Sequence, residues 1–178
     1  MTSVQVALAG TGRPGRPGGT ETERRSFLLQ RVQPAMTGLI DGSLSTLAPI
    51  FAVALATHQP HYAFFAGLAT AIGAGVSMAF SEGLSDTGEF TGRGNPYLRG
   101  AITGLGTCLG GIVHTLPFLI PQYRTALVVA LVTIALELLV LAVIRWRFFG
   151  TGFLRSFASI ALGGAIIVAV SAALGAVS

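Results

Sequence analysis

Long runs of apolar residues, separated by short polar segments, make up most of the chain from about residue 36 onward. A helix of about 20 apolar residues crosses a hydrocarbon layer about 30 Å thick, and five runs reach that length. They cover about residues 36–57, 60–85, 97–120, 125–145 and 152–177. The pattern predicts an all-α integral membrane protein, with five transmembrane helices in one domain over residues 36–177.

The segment before these runs has a different pattern. Residues 1–19 place a short apolar patch before Gly, Pro and Arg, the reverse of the order in a signal peptide, and we expect a disordered leader. Residues 20–34 mix apolar and charged residues, with Thr20 and Glu23 at the spacing of a capping box. We expect a short amphipathic helix on the membrane surface, ended by Pro34.

Composition agrees with a membrane protein. Hydrophobic residues make up 52% of the chain and charged residues 10%, with a mean hydropathy of +0.72, whereas a typical soluble domain is roughly 25% charged. All eleven basic residues are arginines at the ends of apolar runs rather than in one patch, so binding of nucleic acid is not predicted. The single cysteine, Cys108, has no partner for an intrachain disulfide.

The arginines also predict orientation. Ten of the eleven lie in the leader or in the second and fourth connections, and only Arg124 lies in a connection on the other side. Basic residues favour the cytoplasmic side of a membrane. We therefore expect a cytoplasmic N-terminus and a C-terminus outside.

Acidic residues gather where the second run ends, in "GAGVSMAFSEGLSDTGEF". Met78, Glu82, Asp86 and Glu89 follow one another at spacings of four, four and three, which on a helix places them on one face. Asp41 lies in the first run at a depth similar to that of Glu82, so the two carboxylates could meet. A carboxylate inside a membrane helix costs roughly 2.5–3.5 kcal/mol and is a functional candidate.

These five side chains suggest a binding site for a metal ion. Carboxylate oxygens suit divalent cations, and the thioether of Met78 favours a transition metal over Mg²⁺ or Ca²⁺. Met78 could instead be ordinary helix packing, and Asp86 and Glu89 could be solvated loop charges. The two carboxylates within the runs could be structural, for example by pairing with Arg93 or Arg99.

Two further polar residues lie within apolar runs. Glu137, deep in the fourth run, could couple transport to protons or make an interhelical hydrogen bond with only a structural role. His114, in the third run, could be a proton carrier, an exit ligand for the ion or a packed, hydrogen-bonded histidine. His58 and His61 are weaker candidates. The sequence contains no Walker motif and no catalytic Ser-His-Asp, HExxH or CxxC arrangement, so an enzyme is not predicted.

The segments "DGSLSTLAPIFAVALA" and "GLATAIGAGVSMAFSEGLS" resemble the vacuolar iron transporter family. Its marks are an Asp-Gly pair opening the first span and a Gly-rich second span that ends in Ser-Met, followed four residues after the Met by Glu. The segments "FSEGLSDTGEFTGRG" and "HTLPFLIP" are similar to the membrane half of bacterial membrane-bound ferritin proteins. The resemblance covers about residues 36–177.

The resemblance implies a homodimer in the bacterial inner membrane, with a metal pathway along the subunit interface and exchange of Fe²⁺ or Mn²⁺ for protons. By motif, the pathway residues are Asp41, Met78 and Glu82. Family members of eukaryotes carry a long Glu-rich helical domain between the second and third spans, whereas a short connection stands here. A ferritin-like domain is also missing, so a ferritin-like iron donor would be a separate partner.

Three hypotheses about function follow from the sequence. The first is an exporter of Fe²⁺ or Mn²⁺ from the cytoplasm, coupled to protons, with the metal as substrate and no cofactor. The second is a proton-coupled exporter of another solute, with the carboxylates as proton relays. The third is a membrane scaffold without transport activity, whose Gly-rich helices only oligomerise.

Overall fold

A computed structural model describes residues 21–89, 91–149 and 152–176, so the predicted leader over residues 1–19 lies outside the described part. The helices are α1 (Glu21–Phe27), α2 (Gln33–Thr57), α3 (Pro60–Ser85), α4 (Pro96–Thr115), α5 (Tyr123–Phe149) and α6 (Phe153–Ala176), with a π-helix at Leu28–Val32 and a 3₁₀-helix at Leu116–Leu119. In this part of the chain every regular element is helical, and five helices are long and apolar enough to cross a membrane. The all-α prediction with five such helices is confirmed.

The first long helix begins earlier than expected. Helical backbone runs from Glu21 to Thr57 without a break, and Pro34 is buried at the start of α2. Proline has no N–H to donate to the preceding turn, and the π-helix at Leu28–Val32 lies directly before it. Its wider turn accommodates the missing hydrogen bond. The prediction that Pro34 ends a separate surface helix is therefore wrong.

Helix α4 packs between α2 and α3 by very close backbone contact. Gly42 of α2 lies against the backbone of Thr107, where any added side chain would collide with the Thr107 carbonyl oxygen. A Cβ on Gly104 would come within 2.5 Å of the carbonyl oxygen of Gly75 on α3. Small residues allow such approaches. Successive contacts along the chain make α2 and α4 parallel and α3 antiparallel to both.

The small residues of α4 are used within the chain. A Cβ added to any of its five glycines would meet atoms of α2 or α3 at 3.0 Å or less. These residues are Gly100, Gly104, Gly106, Gly110 and Gly111. They therefore allow α4 to pack closely on α2 and α3 of the same chain, and they do not form a free surface for a second subunit.

Helices α5 and α6 complete the bundle from the side of α2. Leu47 and Phe51 of α2 pack with Ile134 of α5, and Ile50 packs with Phe118 of the 3₁₀-helix. The outer faces carry many exposed large apolar side chains, which is typical of a surface that contacts lipid. Buried polar and charged side chains also lie between the helices, among them Ser43, Arg99 and His114.

Candidate functional site

A closed set of ion pairs lies where α3 joins α4. Oε1 of Glu82 accepts hydrogen bonds from Nη2 of Arg93 at 2.5 Å and from Nε of Arg99 at 2.8 Å. The carboxylate of Asp86 accepts from Nη1 of Arg93 at 3.0 Å and from Nη2 of Arg99 at 3.1 Å. We call these four residues the ion-pair network. Its two negative and two positive charges balance.

Arg99 is the structural centre of this network because its side chain is only 1% exposed. It lies in the first turn of α4, where the helix dipole disfavours a positive charge. The two carboxylates and the carbonyl oxygen of Gly94, 3.1 Å from Nη1, compensate for this position. A buried arginine needs such partners, and without them its charge would be strongly destabilising.

Two local features bring the loop back to α3. Asn95 caps α4 by accepting hydrogen bonds from the backbone N–H groups of Tyr97 and Leu98. Gly88 has a φ of +80° and lies against the carbonyl oxygen of Gly94, a position and conformation that exclude a side chain. The loop thus folds over the end of α3, with Arg93 and Arg99 directed at the carboxylates.

The arginines also act on the acidity of Asp86. Burial raises the pKa of this carboxyl, but hydrogen bonding to Arg93, the charge of Arg99 and the backbone N–H of Gly88 outweigh that effect. The pKa of Asp86 therefore lies below its ordinary value of 3.8. At neutral pH, Asp86 is therefore ionised in the folded protein.

The predicted face of four ligands is only partly formed. Helix α3 ends at Ser85, Asp86 has extended backbone, and Glu89 is an exposed loop residue. Only Met78 and Glu82, both partly buried, share a helical face. The prediction that all four residues lie on one helical face is therefore wrong, because the chain leaves the helix before the third of them.

Asp41 has a different environment from Glu82. It is partly buried in α2 and makes no hydrogen bond or ion pair with any described residue. Across the described ranges, no group of three or more His, Cys, Asp or Glu side chains is placed to hold a metal ion. One chain therefore does not gather the predicted metal ligands into a coordination site.

A second polar site lies among the apolar helices, formed by Ser43 of α2, His114 of α4 and Glu137 of α5. Oγ of Ser43 lies 2.5 Å from Oε1 of Glu137. Nε2 of His114 lies 2.9 Å from Oε2 of the same carboxyl group. The side chain of His114 is 1% exposed and that of Glu137 is 14% exposed. We call these three residues the Ser43–His114–Glu137 cluster.

The two nitrogens of the histidine ring in this cluster face different acceptor groups. Nδ1 lies 3.0 Å from the carbonyl oxygen of Gly110, which can only accept, so Nδ1 carries a proton and donates it. Nε2 faces Glu137, although neither Nε2 nor Oε2 makes a well-aligned hydrogen bond in the described part of the chain. Nδ1 therefore has no lone pair for a metal ion, and the lone pair of Nε2 is directed at Glu137 whenever Nε2 is unprotonated.

The cluster contains a serine, a histidine and a carboxylate, but in a different order from a hydrolytic triad. In a triad the histidine accepts the proton of the serine, and the carboxylate holds the far side of the ring. Here Ser43 contacts Glu137, and the far side of the ring is held by Gly110 of its own helix. The arrangement suits the sharing of protons rather than activation of a nucleophile.

The sequence identified Glu137 and His114 as candidates, but it did not identify Ser43. A serine in an apolar run is common, and its importance comes from the parallel packing of α2 and α4, which sets Gly110 beside Ser43. The sequence also does not predict that Arg99 is buried, although pairing of Glu82 with Arg99 is one of the structural alternatives it offers. Signals from isolated polar residues do not reveal which helix lies beside them.

Comparisons with protein families, with curated proteins and with solved structures give no match to this chain.

Proposed function

We propose that this chain is an integral membrane transporter that exports Fe²⁺ or Mn²⁺ from the cytoplasm in exchange for protons. The observation that carries the proposal is Asp41, a carboxylate within a long apolar helix that has no partner among the described residues. Such a charge is costly inside a membrane unless a cation or a proton compensates it. A transported cation would provide that compensation during passage.

The choice of a transition metal rests on the neighbouring helix. Met78 and Glu82 lie one turn apart on α3, so a soft thioether and a hard carboxylate face the same way. Together with Asp41, they are the residues that the resemblance to the vacuolar iron transporter family selects. That resemblance rests on short motifs in the first two long helices.

A homodimer is part of the proposal. One chain provides no group of three ligands among its described residues, so a coordinated ion needs side chains from a second copy. An interface between two copies would place Asp41, Met78 and Glu82 twice along one path. The N-terminus would lie in the cytoplasm of a bacterial cell, in line with the distribution of arginines.

The ion-pair network would act at the entrance of this path. Because Arg93 and Arg99 already neutralise Glu82 and Asp86, an arriving cation meets a site of balanced charge. The cation would compete with the guanidinium groups for the carboxylate oxygens. Binding at Glu82 would therefore be weak, as a transit site requires.

The same network favours the second candidate, a proton-coupled exporter of another solute. Two carboxylates held by two arginines have a structural role that needs no metal. In that case Asp41 would alternate between its ionised and protonated forms instead of binding a metal ion.

Flux through purified protein in liposomes separates the two candidates. Wild-type protein should give saturable Fe²⁺ or Mn²⁺ flux, and Asp41→Asn should abolish it because the neutral amide no longer compensates the charge of the ion. Glu21→Gln is the matched control, since it removes an exposed carboxylate at the start of α1. Undiminished metal flux in Asp41→Asn would contradict the role of Asp41, and absence of metal flux in the wild type would contradict the metal itself.

A further inference from the structure

We infer that Ser43, His114 and Glu137 form the proton-binding site of the transporter, and that the site exchanges one proton per chain. The inference rests on the proposed function, because it assigns the residues that carry the coupled proton. It is drawn from the contacts of three helices that meet at a single carboxyl group. None of the three residues is one of the pathway residues Asp41, Met78 and Glu82.

Counting protons shows that one of them must lie between His114 and Glu137. The Nδ1 proton is committed to the carbonyl oxygen of Gly110. If Nε2 and Oε2 were both unprotonated, two acceptors would face each other across 2.9 Å and repel. One shared proton, carried by either atom, removes that repulsion and leaves the His114–Glu137 pair with no net charge.

Ser43 can respond to the state of this proton. Its hydroxyl group has one hydrogen and two possible acceptors, the carbonyl oxygen of Leu39 at 2.7 Å and Oε1 of Glu137 at 2.5 Å. When Glu137 is ionised, the hydroxyl group donates to the carboxylate. When Oε2 carries the shared proton, Oε1 is a neutral carbonyl oxygen and a weaker acceptor, so the hydroxyl group can donate to Leu39 instead. The hydroxyl group of Ser43 therefore has an acceptor in both states.

No fixed charge holds the pair in one state. The other charged or titratable residues on the surrounding helices make no hydrogen bond or ion pair with it in the described part of the chain. On the helices that pack around the cluster these are Asp41, His61, Tyr62, Glu82, Tyr97, Arg99, Cys108, Tyr123, Arg124, Arg145, Arg147 and Arg155. Loss of the shared proton leaves one uncompensated negative charge among apolar helices, which is unfavourable until a positive charge comes near.

The positive charge that favours release would arrive on α2. Asp41 and Ser43 are two residues apart, which is about 3 Å along a helix axis. A divalent ion bound at Asp41 would leave a net positive charge close to the cluster, and electrostatic repulsion would favour loss of the shared proton. Proton release would thus accompany metal binding, as an exchanger requires.

The experiment compares Glu137→Gln with wild-type protein in liposomes. Glutamine can accept from Ser43 and donate to Nε2 of His114, so it keeps both contacts but has no exchangeable carboxyl proton. With the voltage held at zero, steady-state metal accumulation should rise with the imposed pH difference in wild-type protein and become independent of it in Glu137→Gln. Retained pH dependence in this variant would overturn the inference.

A second measurement does not depend on transport. Infrared difference spectra recorded over a pH series should show one carboxyl or imidazole change per chain. The change should vanish in Glu137→Gln and shift in Ser43→Ala. Ser171→Ala is the matched control, because Ser171 is a buried serine on α6 that donates to the Ile167 carbonyl oxygen without a titratable partner.

The two measurements separate the two proposals. If wild-type protein moves no metal but the infrared change follows Glu137 and Ser43, the proposed substrate is wrong and the proton site stands. If metal moves and no infrared change depends on Glu137, the proton site is overturned. If Glu137→Gln does not assemble, the shift in Ser43→Ala and its absence in Ser171→Ala decide the question.

Discussion

The ion-pair network and the Ser43–His114–Glu137 cluster both join α4 to its neighbours, but they handle charge in opposite ways. In the network, each carboxylate contacts two guanidinium groups, which remain charged at any physiological pH. In the cluster, the only possible cation is a histidine, whose charge depends on one proton. The first arrangement is suited to holding the loop in place, whereas the second can change its net charge.

Burial is similar in the two sites. The network has its buried member, Arg99, surrounded by partly exposed partners, with Glu82 16% and Asp86 25% exposed. In the cluster, His114 is 1% exposed and Glu137 is 14% exposed. Each site thus pairs a buried side chain with partly exposed carboxyl groups, and the two sites differ in whether the positive charge is permanent.

The largest effect is expected for Arg99→Gln. Breaking a buried ion pair by removing one partner costs about 3–5 kcal/mol, and Arg99 binds Glu82 and Asp86 together. Thermal unfolding in detergent should show a strongly lowered midpoint. Arg93→Gln should lower the midpoint less, because Arg93 is 22% exposed and water can replace part of its bonding.

A double variant tests whether pairing is the cause of that loss. Replacing Arg99 and Glu82 together by leucine removes both charges, and stability should recover part of the loss of Arg99→Gln. If Arg99→Gln is as stable as the wild type, the network is not the element that holds the α3–α4 loop.

The sequence predicted the helices better than it predicted the sites, and the reason is physical. The length and hydropathy of a run are local properties, so all five long helices were located. The predicted run over residues 60–85 ends where α3 ends, but the helical face drawn through Asp86 and Glu89 extends beyond that end, because their spacing continues the helical pattern while the chain turns into the loop at Gly88.

The sites depend on contacts between helices, which hydropathy does not encode. Glu137 and His114 were recognised because ionisable residues in apolar runs are rare. Their contact needs α4 to lie close to α2 and α5, and that closeness follows from particular glycines meeting particular backbone atoms. Small residues in α4 predicted close packing, but not with which partner.

An intermediate effect is expected for Gly42→Ala, a variant that should disrupt one of the two sites and leave the other intact. The added methyl group collides with the backbone of Thr107, so α4 must move away from α2 at a cost of about 1–3 kcal/mol. The Ser43–His114–Glu137 cluster joins these two helices and should be disrupted, whereas the network joins α3 to α4 and should persist.

The matched control for this variant is Gly73→Ala, since nothing lies within 4 Å of a Cβ at that position. Alanine is favoured over glycine within a helix, so this variant should be as stable as the wild type or more so. Equal thermal midpoints for the Gly42→Ala and Gly73→Ala variants would contradict the close packing of α2 on α4.

The smallest effect is expected from acid. The arginines hold the pKa of Asp86 below 3.8 in the folded protein, so folding is favoured by ionised Asp86 above its unfolded pKa. This contribution is lost as the pH falls through the folded pKa. Asp86 should therefore stay ionised between neutral pH and about pH 5, and the thermal midpoint should decrease when the pH is lowered below about 4. In Asp86→Asn that part of the acid dependence should disappear, whereas Glu89→Gln, which changes an exposed carboxylate without an ion pair among the described residues, should retain it. The same acid dependence in Asp86→Asn as in the wild type would show that the arginines do not stabilise the loop through Asp86, and Glu82 alone would then have to balance them.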